Sequence, residues 1–468
     1  MNVIWITSDS FRQDHIGAYG NKRIRTPSLD SLSAKSIRFD KHYAAGFPTM
    51  PTRADHFTGR WTMSFMGWSP LPPEVTTLPE ILSEKGIHTA AVVDTPFYLR
   101  DGMNYDRGFK SFFMNAGQEG SGAKKLKDGR HESQDIRAAW RYESDYNAPQ
   151  TFIKAAQWLE RHYKENFFLY IDTWDPHEPW DAPAYYTEHY HPGYDGEIIE
   201  PIYGHWQDVH GFTEERLKKA HAAYCGEITM VDTWLGYLLK RVENMGLMDK
   251  TAVIFTSDHG FYFGEHGGLF GKMVYEIGSD GKYPTLDDWD KQGEDGIWSY
   301  SPLFEEIIKI PLLIHIPGQS SGNYDQLTSA VDVMPTVLEI MGCEPPAYIQ
   351  GQSLLPKISD PSLDGREFVI SSIPFANPGD PVRSVDNFLR MLKVSTVTTV
   401  TSGNFSLLYS PDAGESKLFD LSADPEQQHN IVADRKDVAE KLHQILIKFM
   451  QDTDVAEYLL KPRSELRI

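Results

Sequence analysis

Short apolar runs rich in β-branched residues recur along the first two-thirds of the chain. Each ends in polar residues and leads into a stretch with helical spacing. Val3–Thr7, Ile87–Val93, Phe167–Ile171, Thr251–Ser257 and Ile310–Ile316 have the length and continuous apolar character of strands covered on both faces. Between them, Thr26-Pro27 opens a helix carrying Leu29 and Leu32, and Pro79–Lys85 forms a short helix stopped by Gly86. Pro149–Tyr163 gathers Phe152, Ala155, Ala156 and Leu159 on one face. Thr213, with acids Glu214 and Glu215 in the first turn, starts a long helix that runs to Gly246, and Asp332 starts one that ends near Met341. The alternation predicts an α/β fold: a large mixed, mostly parallel sheet flanked by helices.

Past Gly351 the pattern changes to antiparallel-looking strands near 367–372, 388–401, 404–409 and 417–421, closed by an amphipathic helix over roughly 433–451. A boundary near 360 follows, with a catalytic domain over 1–360 and a smaller C-terminal α+β subdomain over 361–468 made of an antiparallel sheet and a helix. Three polar stretches without clear period, at 114–148, after Trp180 to about 212, and at 273–302, are predicted surface excursions. The last carries Asp287, Asp288, Trp289, Asp290, Trp298 and Tyr300 and is expected to be a substrate-selecting lid, its acids more in solvent than on substrate.

Composition narrows the class. A chain of 468 residues exceeds one ordinary core, and its 40% hydrophobic content, 12% aromatics and 29 prolines fit a loop-rich globular protein. The formal charge of −21 argues against nucleic acid or an anionic membrane as partner, so any anion site must be local. No apolar run reaches the roughly 18 residues of a spanning helix, and Met1-Asn2 passes into Val-Ile-Trp-Ile without a basic leader, which predicts a cytoplasmic location. Cys225 and Cys343 form no metal motif or disulfide framework and are read as structural. A homo-oligomer is left open.

Candidate chemistry begins at Phe47–Arg60. Thr49 has the residue type that caps helices, and Pro51 is tolerated only where a helix has just begun. Arg53 then lies one turn on and on the same face, so a guanidinium and the positive end of the helix dipole converge on the threonine hydroxyl, a pocket suited to an anion. Taken alone, Thr-x-Pro-x-Arg is more often an ordinary cap followed by a surface arginine.

The strand ends change that weighting. Asp9 follows the first, Asp94 and Thr95 the second, Asp172, Asp175 and His177 the third, and Asp258 and His259 the fourth. Ligands of an open parallel sheet bind at the carboxyl edge, so these residues are expected in one cleft. Two aspartates, a histidine and a threonine oxygen suit a divalent cation, the imidazole leaning toward Mn²⁺ or Zn²⁺ over pure Ca²⁺ or Mg²⁺.

These residues resemble the sulfatases of the alkaline phosphatase superfamily over most of the chain. The opening strand with Asp9, Gly17-Ala-Tyr-Gly20, the Thr-x-Pro-x-Arg signature through Thr58-Gly59-Arg60, and Asp175-Pro176-His177-Glu178-Pro179-Trp180 all look like family motifs. So do Ser257-Asp258-His259-Gly260, Gly264-Glu265-His266-Gly267, Gly271-Lys272, Asp332-Val-Met-Pro335-Thr336 and the late Leu418–Pro425. The resemblance implies one divalent metal ion (Mn²⁺, Zn²⁺ or Ca²⁺) on Asp9, Thr49, Asp258 and His259, with Arg53, His177 and Lys272 around the transferred group.

The departures redirect the substrate. Sulfatases carry Cys or Ser at the Thr49 position and oxidise it to formylglycine; threonine has no route to that aldehyde, so no formylglycine is expected. Ser10 replaces a second acid, and Val93-Asp94-Thr95-Pro96 replaces the family's Gly-Lys-Trp-His. The site is closer to phosphonate monoester hydrolases, which place Tyr and Thr near that point, so Thr95 and Tyr98 join the expected catalytic set. Unmodified threonine is the nucleophile in the related nucleotide pyrophosphatase/phosphodiesterases and lipoteichoic-acid synthases. Formylglycine hydrate can eliminate sulfate, whereas phosphorus accepts a second in-line attack. A small anionic phosphoryl ester is therefore favoured over a sulfate ester, with Thr49 attacking and His177 protonating the leaving oxygen. A sulfatase and a catalytically impaired binding protein remain the alternatives. A second metal would need a further Asp and two His; Asp172, Asp175 and His266 are nearby candidates whose spacing does not match that pattern.

Overall fold

The computed structural model describes all residues except 68, 96–97, 99–101, 116–139, 276–298, 373–396 and 413. Its principal sheet has eight strands in the order β13-β2-β12-β7-β1-β5-β3-β4. These are β1 Asn2–Ser8, β2 Ile37–Tyr43, β3 His88–Val93, β4 Ser111–Met114, β5 Phe167–Thr173, β7 Thr251–Ser257, β12 Leu312–His315 and β13 Gly322–Ser329. All run parallel except β12, which is antiparallel to both β7 and β2. The fold class is the mixed, mostly parallel sheet expected; the reversed β12 is the exception that the apolar run at Ile310–Ile316 could not reveal.

The sheet is central because β1, β5 and β7 are apolar on both faces, and each of their residues is buried. One face packs Trp5, Tyr170, Ile254 and Leu312 against Met50, Ala54 and Phe57. The other packs Ile4, Ile6, Ile171 and Phe255 against helices Asn147–His162 and Glu214–Asn244. Thr213 caps the latter, its hydroxyl accepting from the Arg216 N–H at 3.2 Å. Thr77 caps helix Leu78–Glu84 in a capping box with Glu80.

Two small ribbons lie beyond the strand ends: β6 Gly204–His205, β8 Tyr262–Phe263 and β9 Leu269–Gly271 form one, and β10 Val274–Tyr275 with β11 Ser299–Tyr300 the other. The expected lid spans 273–302, and most of it, with Asp287, Asp288, Trp289, Asp290 and Trp298, lies outside the described residues. Toward the C-terminus, β14 Phe368–Ser372, β15 Thr398–Ser402, β16 Phe405–Tyr409 and β17 Lys417–Asp420 make an antiparallel sheet packed by helix Lys436–Asp452. Ala45, Trp61, Ala330 and Val331 share that cluster, so the C-terminal sheet closes over the turn that precedes the Thr49 helix.

Candidate active site

Thr49 is the first residue of helix Thr49–Thr58, and Pro48, not Thr49, occupies the capping position. The side chain of Thr49 is thus not drawn into capping; it is only 2% exposed. The turn before it is folded onto the helix by side chains within the helix: Thr52 Oγ1 donates to the Gly46 carbonyl at 2.7 Å, and the Gly46 N–H donates to the Asp55 carboxylate at 2.5 Å. Thr62 donates twice more to Asp55, through N at 2.7 Å and Oγ1 at 2.6 Å. Burial still outweighs these bonds and pushes the Asp55 carboxyl up to about 7. Gly59, at φ 62°, takes the left-handed conformation that ends the helix, its N–H donating to Asp55 O at 2.9 Å.

Arg53 lies one turn on from Thr49, as expected, but its guanidinium faces carboxylates. Nε and Nη2 clamp Asp172, each at 2.7 Å, while Nη1 donates to Asp258 Oδ2 at 2.5 Å and to the Thr49 carbonyl at 3.0 Å. Nη2 also stands 3.1 Å from Asp9 Oδ2. All four charged side chains have no exposure. Asp172, the last residue but one of β5, is further held by Thr95 Oγ1 at 2.9 Å and Tyr170 Oη at 2.7 Å. Tyr170 shares its strand face with Asp172, two residues apart. Thr95 therefore supports Asp172, and Tyr98 packs its ring into the apolar cluster, edge-on to Tyr105 at 5.6 Å.

Asp9 and Asp258 stand just past the ends of β1 and β7, whose paired register brings Ser8 opposite Ser257. Asp258 Oδ1 accepts the N–H groups of Ser10 at 2.9 Å and His259 at 2.8 Å. Ser10, in the place of the family's second acid, donates its hydroxyl to Asp9 Oδ1 at 2.9 Å. His259 Nδ1 donates to the Gly260 carbonyl at 3.0 Å, so Nε2 carries a lone pair; it lies 3.5 Å from Asp258 Oδ2. The ring of Phe47 packs 5.0 Å from that imidazole, which sets the start of the Thr49 helix beside it.

Two buried atoms here lack a hydrogen-bond partner: Asp9 Oδ2 and His259 Nε2. Ligand atoms of Asp9, Asp258 and His259 all lie within 4.8 Å of one another. Burial and the charge of Asp258 raise the Asp9 carboxyl well above the usual range. Burial opposes ionisation of Asp258 too, but the Arg53 guanidinium and the Ser10 N–H help to outweigh it, and its carboxyl lies well below that range. Three carboxylates around one guanidinium leave an excess of negative charge at this point. A divalent cation would offset that charge and give Asp9 Oδ2 and His259 Nε2 the partner that no hydrogen bond supplies, so the residues fit one.

The facing side is built from loops. Lys272 follows β9 and donates Nζ to His177 Nε2, with Glu178 Oε1 at 3.4 Å. Gly271, at φ 141°, lets this strand end pass Tyr203, whose ring a Cβ would meet at 2.9 Å, and Tyr203 Oη donates to Glu178. His177 Nδ1 donates to the Glu178 carbonyl at 2.7 Å, and its ring stacks on Trp174 at 3.7 Å. Burial pushes His177 down to about 3, so it accepts from Lys272 as a neutral imidazole. Burial raises Glu178, but the Lys272 ammonium and the Tyr203 hydroxyl help to offset it and hold it at about 2. Lys272 also acts on Asp9 and His259, so the two sides share one field.

Other strand-end residues stay out of the cation position. Asp94 accepts from Thr151 Oγ1 at 2.8 Å and from the Trp174 N–H at 2.5 Å, bracing the turn that carries His177, and burial pushes its carboxyl up to about 7. His266 stacks on Phe304 at 3.6 Å and pairs with Glu306 at 2.9 Å. With Asp172 clamped by Arg53, no second metal cluster is assembled beside the first among the described residues.

This fold and site define a hydrolase of ester bonds in the alkaline phosphatase superfamily. The family model for sulfatases matches residues 1–343, and the chain belongs to that family. An arylsulfatase of Clostridium perfringens is 22% identical, with 96% of this chain and 94% of that protein covered. The multifunctional alkaline phosphatase superfamily protein PehA of Trinickia caryophylli is 26% identical, covering 92% and 91%. Among solved structures, the phosphonate monoester hydrolase of Agrobacterium radiobacter superposes with a TM-score of 0.70 at 20% identity, over 99% of this chain and 95% of that one. Enzymes of this family use a divalent metal ion.

Proposed function

We propose that this chain hydrolyses a small phosphate ester, phosphodiester or phosphonate monoester through a covalent intermediate on Thr49. The observation that carries the reading is the nucleophile itself: an unmodified threonine opens the helix whose Arg53 binds Asp9 and Asp258. Asp9, Thr49, Asp258 and His259 would hold one divalent cation, Mn²⁺, Zn²⁺ or Ca²⁺. When bound, such an ion lowers the pKa of a hydroxyl beside it and stabilises charge on the transferred group's oxygens.

Thr49 Oγ1 gives up its proton to solvent and attacks phosphorus in line with the leaving oxygen, the restricted χ1 of threonine fixing its aim. Arg53 keeps Asp9, Asp172 and Asp258 in register and acts through them, a change from the direct anion contact expected from its spacing. Lys272 brings the proton. It donates to neutral His177 in this structure, and the pair supplies the proton to the departing oxygen. Water attacking phosphorus from the same side as that departed group frees Thr49.

The second reading is sulfate ester hydrolysis, favoured by relatives such as the Clostridium arylsulfatase and the ulvan-active sulfatase of Formosa agariphila, 25% identical over 98% of this chain. Rates on matched aryl sulfate, phosphate monoester, phosphodiester and phosphonate substrates separate the two. The phosphoryl reading expects turnover only of the phosphorus esters.

A further inference from the structure

On the side of the sheet covered by the long helix, His15, His221 and Cys225 bring their ligand atoms within 4.8 Å of one another. His15 sits in the single turn Gln13–His15, six positions past Asp9, while His221 and Cys225 are one turn apart on helix Glu214–Asn244. His15 Nε2 and His221 Nε2 face each other at 2.7 Å, and Cys225 Sγ stands 3.7 Å from the same His221 nitrogen. His15 and Cys225 are each 6% exposed, and both line, with His221, a cavity of about 350 Å³ whose wall also includes His191 and Glu215.

We propose that these three side chains form a zinc site separate from the cation position at Asp9 and Asp258. Two imidazoles and a thiolate are the donor set that selects Zn²⁺ over the hard cations, and three protein ligands leave a fourth place open to the cavity. The outer support is already built. His15 Nδ1 donates to Asp14 at 2.8 Å, and Arg12 clamps that carboxylate through Nε at 2.9 Å and Nη2 at 2.7 Å, which fixes the tautomer that leaves His15 Nε2 a lone pair. The facing His221 Nε2 therefore carries the hydrogen in the metal-free arrangement. On binding, His221 moves its hydrogen to Nδ1, the Cys225 thiol releases its proton to solvent, and one proton leaves per Zn²⁺. Tetrahedral Zn–N bonds of about 2.0 Å place two ligand nitrogens roughly 3.3 Å apart, so the imidazoles need to part by about half an ångström. The 3.7 Å between Cys225 Sγ and His221 Nε2 needs almost no change. A filled site would tie the segment leading from Asp9 to the long helix.

The test uses the full chain carrying Asp258→Asn, which removes the central cation position, titrated with Zn²⁺ and with Co²⁺ as its spectroscopic stand-in. The expected result is one Zn²⁺ and one released proton per chain, and a thiolate-to-Co²⁺ charge-transfer band. Adding Cys225→Ser should abolish the band and weaken Zn²⁺ binding at least tenfold, and adding His221→Asn should weaken it similarly. In the otherwise native chain, Cys225→Ser should keep the ester hydrolysis rate. Absence of the charge-transfer band, or a band that survives Cys225→Ser, overturns the site.

Discussion

The two sides of the cleft are made differently. On the sheet side, Asp9, Arg53, Asp172, Asp258 and His259 have no exposure and hold one another through two- and three-way contacts between strand ends and one helix. On the loop side, His177, Glu178 and Lys272 are 6 to 8% exposed, and a chain of single hydrogen bonds connects them to Tyr203. A rigid carboxylate frame is what a cation and an aimed nucleophile require, whereas proton delivery needs groups whose charge can change. Substitutions on the two sides should therefore fail in different ways.

The largest effect is expected from Asp258→Asn, which removes a buried charge that balances Arg53 and, in the proposed mechanism, a cation ligand as well. Activity should fall to background and metal content, read by atomic spectrometry, should drop by about one ion per chain relative to the native chain; a fully metallated, active variant would dissolve the sheet-side frame. Lys272→Ala should lower kcat roughly 10²- to 10⁴-fold while metal content stays unchanged, with esters of good leaving groups recovering much of the loss because they need no proton. Equal loss on all leaving groups would assign Lys272 to binding instead.

Arg53→Lys sharpens the contrast from the other direction. A point charge cannot reproduce the fork on Asp172, so stability should fall by about 1.5–3 kcal/mol in denaturant titration along with cation affinity. Unchanged stability would return Arg53 to a role at the substrate alone.

The smallest effect concerns pH. Burial pushes His42 and His56 down to about 3, and His56 has no partner for either ring nitrogen. The unfolded chain binds these protons near pH 6.5, so between 6.5 and 3 it holds more protons than the folded one and stability falls as pH falls. Asp55 and Asp94, pushed up to about 7, act oppositely and lose stability as pH rises from 3.8. His56→Phe should flatten the acid limb by up to one proton, about 1.4 kcal/mol per pH unit. An unaltered slope in pH-dependent melts would show that His56 is not the group responsible.

Much of this architecture is legible in residue order. The fully apolar runs of β1, β5 and β7 announce central strands, and Asp9, Asp258 and His259 stand where the carboxyl-edge rule puts them. The strands at the β13 end are harder to see: β2, an inner strand, carries Arg38, Asp40 and Lys41 among its apolar residues, the edge strand β13 exposes Asn323, Asp325 and Gln326, and β12 runs backward through a connection whose direction leaves no local mark. Arg53 is the instructive case at the site. Helical spacing places it beside Thr49 correctly, but its partners Asp172 and Asp258 are 119 and 205 positions away, and only the strand order brings them there. The Lys272–His177 pair is similar, joining two loops 95 positions apart.

In the proposed mechanism unmodified Thr49 carries the phosphoryl group. Rapid quench during turnover of a slow phosphodiester, followed by peptide mass spectrometry, should find phosphate on Thr49, and Thr49→Ala should abolish both the adduct and turnover while Thr49→Ser retains part of each. Robust aryl sulfate hydrolysis by the unmodified chain, with no phosphorus ester turned over and no adduct on Thr49, would contradict it.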